Sequence, residues 1–247
     1  MRPLSVPELL NVWERGLAAR PFERALAILS AATPESSLSA LARVSIGRRD
    51  ASLLRLREWA FGSELAMVAP CPRCHHALET AISVADLRVP TEAAGDETTG
   101  DLETSLTIED YKFRCRPPNT EDIRACAALD VTMARQALFA RCVLESNYRG
   151  ERVATENLPN EIVESVIQRI AETDQADIQI NLSCPDCEYR WNESFDIVSF
   201  FWTEIDAWAR RVLREVHTIA SAYGWREGDI LTLSPTRRQI YLAMVGA

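Results

Sequence analysis

The sequence lacks any apolar run long enough to cross a membrane. None of its segments approaches the roughly 18 consecutive apolar residues that a membrane-spanning helix needs. The apolar start of the chain is interrupted by Pro7, Glu8 and Asn11, so no secretory signal peptide is recognisable. We therefore expect a cytoplasmic protein without membrane insertion, and 47% apolar and 26% charged residues are typical of a globular chain.

The sequence also lacks the excess of positive charge that general nucleic-acid binding requires. Its 27 basic and 36 acidic residues give a net charge of −9 at pH 7. The helical tail at 203–247 has a layout that could suggest DNA binding. However, it contains six arginines and five acidic residues, so its net charge is only +1. Phosphate neutralisation needs a stronger positive field than this. We therefore expect no nucleic-acid partner.

Familiar catalytic motifs are missing as well. No nucleophile elbow, P-loop, dinucleotide fingerprint or H-E-x-x-H motif occurs. Only three histidines are present. His75 and His76 are adjacent, and His217 falls in an amphipathic helical pattern that favours a structural role. The sequence predicts a protein that is not an enzyme.

Two cysteine turns of the same form are the most informative feature that is present. Residues 71–74 read Cys-Pro-Arg-Cys and residues 184–187 read Cys-Pro-Asp-Cys. After each turn, apolar and polar residues alternate as in a half-buried strand. The apolar positions correspond in the two segments: Leu78 matches Trp191, Ile82 matches Phe195 and Val84 matches Ile197.

This pattern predicts a structural zinc site with Cys71, Cys74, Cys184 and Cys187 as ligands. One C-x-x-C pair can occupy two corners of a tetrahedron, and two pairs complete the shell without an open position for water. We therefore expect one structural Zn²⁺ per chain in a zinc-ribbon-like fold. The two halves of this ribbon are separated by 184 − 74 = 110 positions.

Two other interpretations of these cysteines remain open. The pairs could be redox dithiols, although thioredoxin-type C-x-x-C motifs open a helix and strands follow here. They could also be merely buried or crosslinked. The odd total of seven cysteines argues for a reducing compartment. Cys115 is left unassigned, and Cys126 and Cys142 are predicted to be small core residues. His75 and His76, which follow the first cysteine turn (or knuckle), are predicted to be exposed turn residues.

The remaining pattern predicts an α+β fold. We expect a small zinc-ribbon-like antiparallel sheet (from about 76–88, 106–115, 177–183 and 189–197) with a helical N-terminal region, a helical insertion and a helical C-terminal tail. The predicted regions are 1–66 (helical), 67–117 (first knuckle and strands, with an acidic loop at 90–104), 118–175 (helical insertion), 176–200 (second knuckle and strand) and 201–247 (helical).

Two apolar stripes in the insertion are predicted to be core. One comprises Met133, Ala137, Ala140 and Leu144, and the other comprises Ile162, Val163, Val166, Ile167 and Ile170. In the tail, Trp202 and Trp225 are candidate partner anchors, with packing on the protein's own core as the alternative. We also expect the segment 224–247 to bind a partner and to be removable without unfolding the chain.

The order of these segments resembles a known family. LLNVWERGLAARPFERALAILSAA, VSIGRRDASLLRLREWAFG, CPRC, FRCRPPNTEDI and CPDC follow one another. This order is similar to that of the baseplate hub assembly chaperone-like proteins, which are encoded with contractile phage tails and contractile injection systems. The ending IASAYGWREGDILTLSPTRRQIYL is also similar to a segment found in tail and baseplate proteins.

The resemblance implies a non-enzymatic assembly factor or structural component whose partners are protein subunits of a baseplate or hub. It supplies no catalytic residue, and the zinc ligands follow from the cysteine spacing alone. An alternative is a zinc-ribbon adapter in transcription or RNA processing, which the net charge of −9 disfavours.

Overall fold

The structure is a computed structural model that describes residues 1–87, 102–174 and 176–245. The chain divides into two compact units. Unit 1 combines residues 1–34 with the residues from 197 onward, and unit 2 comprises residues 35–196. The acidic loop predicted at 90–104 lies almost entirely outside the described residues.

Helices alternate with short strands along the chain. The helices are α1 (Val6–Gly16), α2 (Pro21–Ala32), α3 (Leu38–Arg43), α4 (Ile46–Phe61), α5 (Val84–Leu87), α6 (Thr120–Cys126), α7 (Val131–Cys142), α8 (Asn160–Thr173), α9 (Ile197–Tyr223), α10 (Glu227–Leu231) and α11 (Pro235–Val245). The strands are β1 (Glu64–Pro70), β2 (Ala77–Ser83), β3 (Thr104–Ile108), β4 (Tyr111–Cys115), β5 (Val143–Tyr148), β6 (Glu151–Arg152), β7 (Ile178–Ser183) and β8 (Arg190–Phe195).

The regular elements among the described residues of unit 1 are all helices, and α9 is the longest of them. Helix α1 begins with a capping box, in which Glu8 accepts a 2.9 Å hydrogen bond from the backbone N–H of Ser5. Helix α9 buries one apolar face, which includes Phe201, Ile205 and Val212. It ends at Tyr223, and the φ of 67° at the following Gly224 belongs to the left-handed region that glycine adopts after helix ends.

Trp202 of α9 packs closely against α1 and α2. Its indole lies over Gly16, and Arg24 stacks on the ring with its guanidinium carbon 4.4 Å from the centroid. Trp202 is buried. Of the two roles considered for this residue, packing on the protein's own core is therefore the correct one.

Replacing Gly16 with alanine should destabilise unit 1 by about 1–3 kcal/mol, because the new methyl group overpacks the core. An added Cβ would lie 2.1 Å from Cη2 of Trp202. Denaturant unfolding measures the effect. The matched control is Gly228→Ala, where no atom lies within 4 Å of the added Cβ and stability should not fall. Equal unfolding midpoints for the two variants would contradict this packing.

A buried ion pair fastens α11 to α9 at the C-terminal end of unit 1. Arg238 donates to Glu215 at 3.0 Å and to the carbonyl of Leu233 at 2.9 Å, and Gln239 donates to the second Glu215 oxygen at 3.0 Å. Ile230 of α10 is fully buried. Deletion of 224–247 would take Arg238 and Gln239 away from Glu215, which would keep only Arg211 at 4.0 Å. It would also remove the buried Ile230 and expose apolar surface that the segment now covers, which costs stability. These contacts indicate that the segment belongs to the fold of unit 1, in contrast to the expectation that it is removable.

In its described residues, unit 2 contains three antiparallel sheets instead of the single sheet predicted from the sequence. Strands β1 and β2 form one hairpin, β7 and β8 form another, and β3, β4, β5 and β6 form a four-stranded sheet in that order. The prediction failed because it did not include β1 or β5. Each cysteine turn has a strand on both sides and closes its own hairpin, so the remaining strands pair elsewhere. The coarser expectation of helices with small antiparallel sheets is confirmed.

One of the two predicted apolar stripes lies in the core of unit 2. Ile162, Val166 and Ile170 of α8 are buried beside Phe113 and Phe139, as predicted. The other stripe does not form one face. Met133 is 51% exposed, and Ala140 is exposed. Helix α7 ends at Cys142, so that Leu144 belongs to β5.

A carboxylate at the centre of unit 2 organises the start of α6. Asp122 is fully buried. It accepts hydrogen bonds from Arg116 at 2.6 and 2.9 Å, from Arg141 at 2.7 Å and from the backbone N–H of Asn119 at 3.0 Å. Asn119 in turn accepts from the Asp122 N–H, which completes a capping box.

Candidate metal centre

The two cysteine turns have the same backbone geometry. In the first, the Cys71 N–H donates to the His76 carbonyl at 2.8 Å, and in the second the Cys184 N–H donates to the Tyr189 carbonyl at 2.9 Å. The residue after the second cysteine of each turn has a positive φ, 60° at His75 and 58° at Glu188. The strands on either side pair up to the turn, through Pro70 with Ala77 and through Ser183 with Arg190.

The turns belong to a larger internal repeat. An offset of 184 − 71 = 113 positions superposes the register of the first hairpin on that of the second, since Pro70–Ala77 becomes Ser183–Arg190. The same offset moves α4 (Ile46–Phe61) onto positions 159–174, which contain α8. It also moves buried Val84, which begins α5, onto buried Ile197, which begins α9. The chain thus contains two helix–hairpin–helix halves, each with one cysteine turn.

The structure brings the four predicted sulfur atoms together. All lie within 4.8 Å of one another, with 3.7 Å between Sγ of Cys71 and Cys187 and 3.5 Å between Sγ of Cys74 and Cys184. Tetrahedral zinc with bonds of about 2.3 Å requires sulfur separations of about 3.8 Å. The four cysteines are therefore arranged so that they could hold a metal ion.

The ionisation of these thiols is mutually dependent. Burial disfavours the Cys71 thiolate, but the backbone N–H groups of Cys74 and Arg73 outweigh it, and the pKa of Cys71 falls to about 6. The backbone N–H of His76 favours the Cys74 thiolate, yet desolvation and the neighbouring sulfurs raise the pKa of Cys74 to about 12. Four adjacent negative charges repel one another, so full ionisation of this cluster needs a cation among the sulfurs.

Comparison with protein-family models shows which family the chain resembles. Residues 25–202 match the family described as T4 bacteriophage base plate protein. The matched region includes both cysteine turns and more than two thirds of the chain. The chain belongs to this family. No curated protein and no solved structure matches it significantly.

Membership in the base plate family supports a structural or assembly role in a phage tail, as the resemblance implied. It also suggests a structural protein more than an enzyme and implies contacts with other baseplate proteins. In the part of the chain that the structure describes, none of the helices is long and apolar enough to span a membrane.

In this base plate protein the two knuckle histidines lie outside the sulfur cluster. His75 and His76 are exposed, as predicted. The His76 Nδ1 lies 2.8 Å from a carboxylate oxygen of Asp186, so the contact joins the two turns directly. Both side chains are substantially exposed, and such a contact adds little stability.

The other cysteines of the base plate protein are core residues. Cys126 and Cys142 are buried, as predicted, and so is Cys115, which the sequence left unassigned. Burial raises the pKa of Cys115 to about 11 and that of Cys142 to about 12. These two thiols therefore stay neutral and do not compete for a metal.

Proposed function

We propose that Cys71, Cys74, Cys184 and Cys187 hold one structural Zn²⁺ and thereby join the two halves of the internal repeat in a zinc-ribbon-like arrangement. The observation that carries this proposal is the convergence of four sulfurs from two turns of the same geometry. Independent redox dithiols would not need to meet in this way. A reducing compartment such as the cytoplasm keeps the thiols available for the metal.

The donor set favours a structural role for the metal. Four thiolates saturate a tetrahedral zinc ion, so no position remains for water or substrate. Cys71 and Cys184 are buried while Cys74 is exposed, so the site sits at the edge of unit 2. Such a site stabilises the fold and does no chemistry.

We further infer that the protein is a non-enzymatic assembly factor or structural component of the baseplate of a contractile tail or injection system. Its partners are then protein subunits of the baseplate or hub, and no nucleic acid is involved. The five regions 1–66, 67–117, 118–175, 176–200 and 201–247 are retained as a hypothesis about its organisation. Family membership supports the baseplate role, and the cysteine cluster supports the zinc.

A genetic complementation experiment tests this role. Without the gene, its phage or injection system should produce tails that lack a normal baseplate by electron microscopy. A plasmid with the wild-type gene or Cys126→Ala should restore assembly, and Cys184→Ser should not. Normal baseplates in the absence of the gene would contradict the proposed role, whereas rescue by Cys184→Ser would contradict only the zinc requirement.

Mass spectrometry of purified particles separates the two forms of the proposal. A structural component remains in the particle at a fixed ratio to other baseplate proteins. An assembly factor is required for the particle but is missing from it.

A further inference from the structure

Three aromatic and two aliphatic side chains form a surface at the C-terminal end of unit 1. It consists of Tyr223, Trp225, Ile240, Tyr241 and Met244, and we call it the C-terminal surface. The three rings contact one another, with centroids 5.2 Å apart for Tyr223 and Trp225 and 4.8 Å apart for Trp225 and Tyr241. These residues lie outside the matched family region, which ends at residue 202.

The C-terminal surface combines order with exposure. On α11, Met244 follows Ile240 by four residues and Tyr241 by three, which places its side chain beside both on one face of that helix. Ile240 is 50% exposed, Met244 60% and Trp225 37%. The buried Arg238–Glu215 ion pair holds α11 in place beneath this face. The surface is therefore a preformed apolar patch on a fixed helix, which is typical of a protein interface.

Charged residues of both signs flank the residues of the patch in the sequence, and we call these charged residues its rim. Arg226 follows Trp225, and Arg237 precedes Tyr241 by one helical turn. Glu227 and Asp229 lie beside Arg226 on α10. Within the described residues, none of these four exposed side chains makes an ion pair or a side-chain hydrogen bond. The rim thus has two positive and two negative charges, all available to a partner.

We propose that the C-terminal surface binds a second copy of this chain in a two-fold symmetric dimer. A two-fold interface uses the same patch on both subunits, so the patch must be complementary to itself. Two identical apolar centres can pack against each other without burying an unpaired polar group. A rim with two charges of each sign lets the arginines of one copy face the carboxylates of the other. A partner with charges of only one sign would repel the two rim residues of the same sign.

A second exposed apolar site supplies the matched control. Leu129, Val131 and Met133 form a short apolar stretch at the start of α7, and Val131 is 87% exposed. Its charged neighbour Asp130 already accepts a hydrogen bond from the Met133 N–H. This stretch therefore lacks the rim of unpaired charges of both signs that the C-terminal surface has. Val131→Glu changes an exposed apolar residue of unit 2 and should not affect the dimer.

Sedimentation velocity over a concentration series tests the dimer with the full-length protein. We expect the wild type and Val131→Glu to dimerise equally. Ile240→Glu should raise the dimer Kd by about 30-fold or more, the loss typical of a central interface residue. Far-UV circular dichroism should show unchanged helicity. A monomeric wild type, or an Ile240→Glu protein that dimerises like the wild type, would overturn the proposal. Loss of the dimer in Val131→Glu alone would also overturn it.

A charge exchange tests the symmetry of the contact. Arg226→Glu combined with Arg237→Glu makes the rim wholly acidic, and Glu227→Arg combined with Asp229→Arg makes it wholly basic. Each double variant should be monomeric alone because like charges meet across the two-fold axis. An equimolar mixture should form dimers, which cannot happen if either variant is merely unfolded. If the mixture stays monomeric, the proposed contact is wrong.

Discussion

Replacing Cys184 with serine should release the metal and unfold both cysteine hairpins. Joining segments 110 positions apart costs about 4 kcal/mol of loop-closure entropy. Structural zinc supplies on the order of 10–16 kcal/mol of apparent binding free energy, against a total domain stability of about 5–15 kcal/mol. The remaining three thiols cannot complete the site, so the loss is large. Helices of unit 1 should keep much of their circular dichroism signal.

The matched control for this experiment is Cys126→Ala. Cys126 is also a buried cysteine of unit 2, but it lies outside the sulfur cluster. This variant should lose some packing energy and keep its zinc. The hairpins can be followed by amide hydrogen exchange, which should accelerate across β1, β2, β7 and β8 only in Cys184→Ser. Unchanged protection in that variant would show that the hairpins do not depend on the cluster.

Asp122→Asn should lower the free energy of unfolding by about 3–5 kcal/mol, the cost of breaking a buried ion pair by removing one partner. The carboxylate accepts four hydrogen bonds in a fully buried position, and an amide would turn two donors toward Arg116 and Arg141. Denaturant unfolding at neutral pH measures the loss. Asp110→Asn is the control, because its ion pair with Arg149 is exposed to solvent and contributes little to stability.

The contribution of Asp122 should depend on pH in a defined direction. Burial opposes ionisation, but Arg116, the Asn119 N–H and Arg141 together hold the pKa of Asp122 below its usual value of 3.8. A lowered folded-state pKa stabilises the protein above the unfolded-state pKa, and the stabilisation disappears as pH falls through the folded-state pKa. The stability difference between wild type and Asp122→Asn should therefore be largest near neutral pH and shrink in acid. A difference that grew on acidification would contradict the assignment.

The cysteine site could be predicted because its signal is local. Two C-P-x-C turns with matching downstream alternation predict the strand after each turn, and they identify the four cysteines that the structure brings together. The pairing of strands is less local. Strand β1 (Glu64–Pro70) precedes its turn, but Ala66, Val68 and Pro70 on its exposed side are not polar, so no alternation marks it as a strand.

Periodicity also fails to say what an apolar face packs against. The stripes of α7 and α8 look alike in the sequence, yet only that of α8 faces Phe113 and Phe139. Helix α7 stops at Cys142 because β5 follows at once to pair with β4, and long-range pairing of this kind outweighs helical propensity. The Arg238–Glu215 pair is likewise a contact between distant segments that no local pattern announces.

The most direct test of the account is the metal content of the full-length protein purified without chelator. We expect elemental analysis to give one zinc per chain, together with loss of that zinc in Cys184→Ser. The contradicting result is a folded protein that contains no metal and in which Cys71, Cys74, Cys184 and Cys187 all react as free thiols.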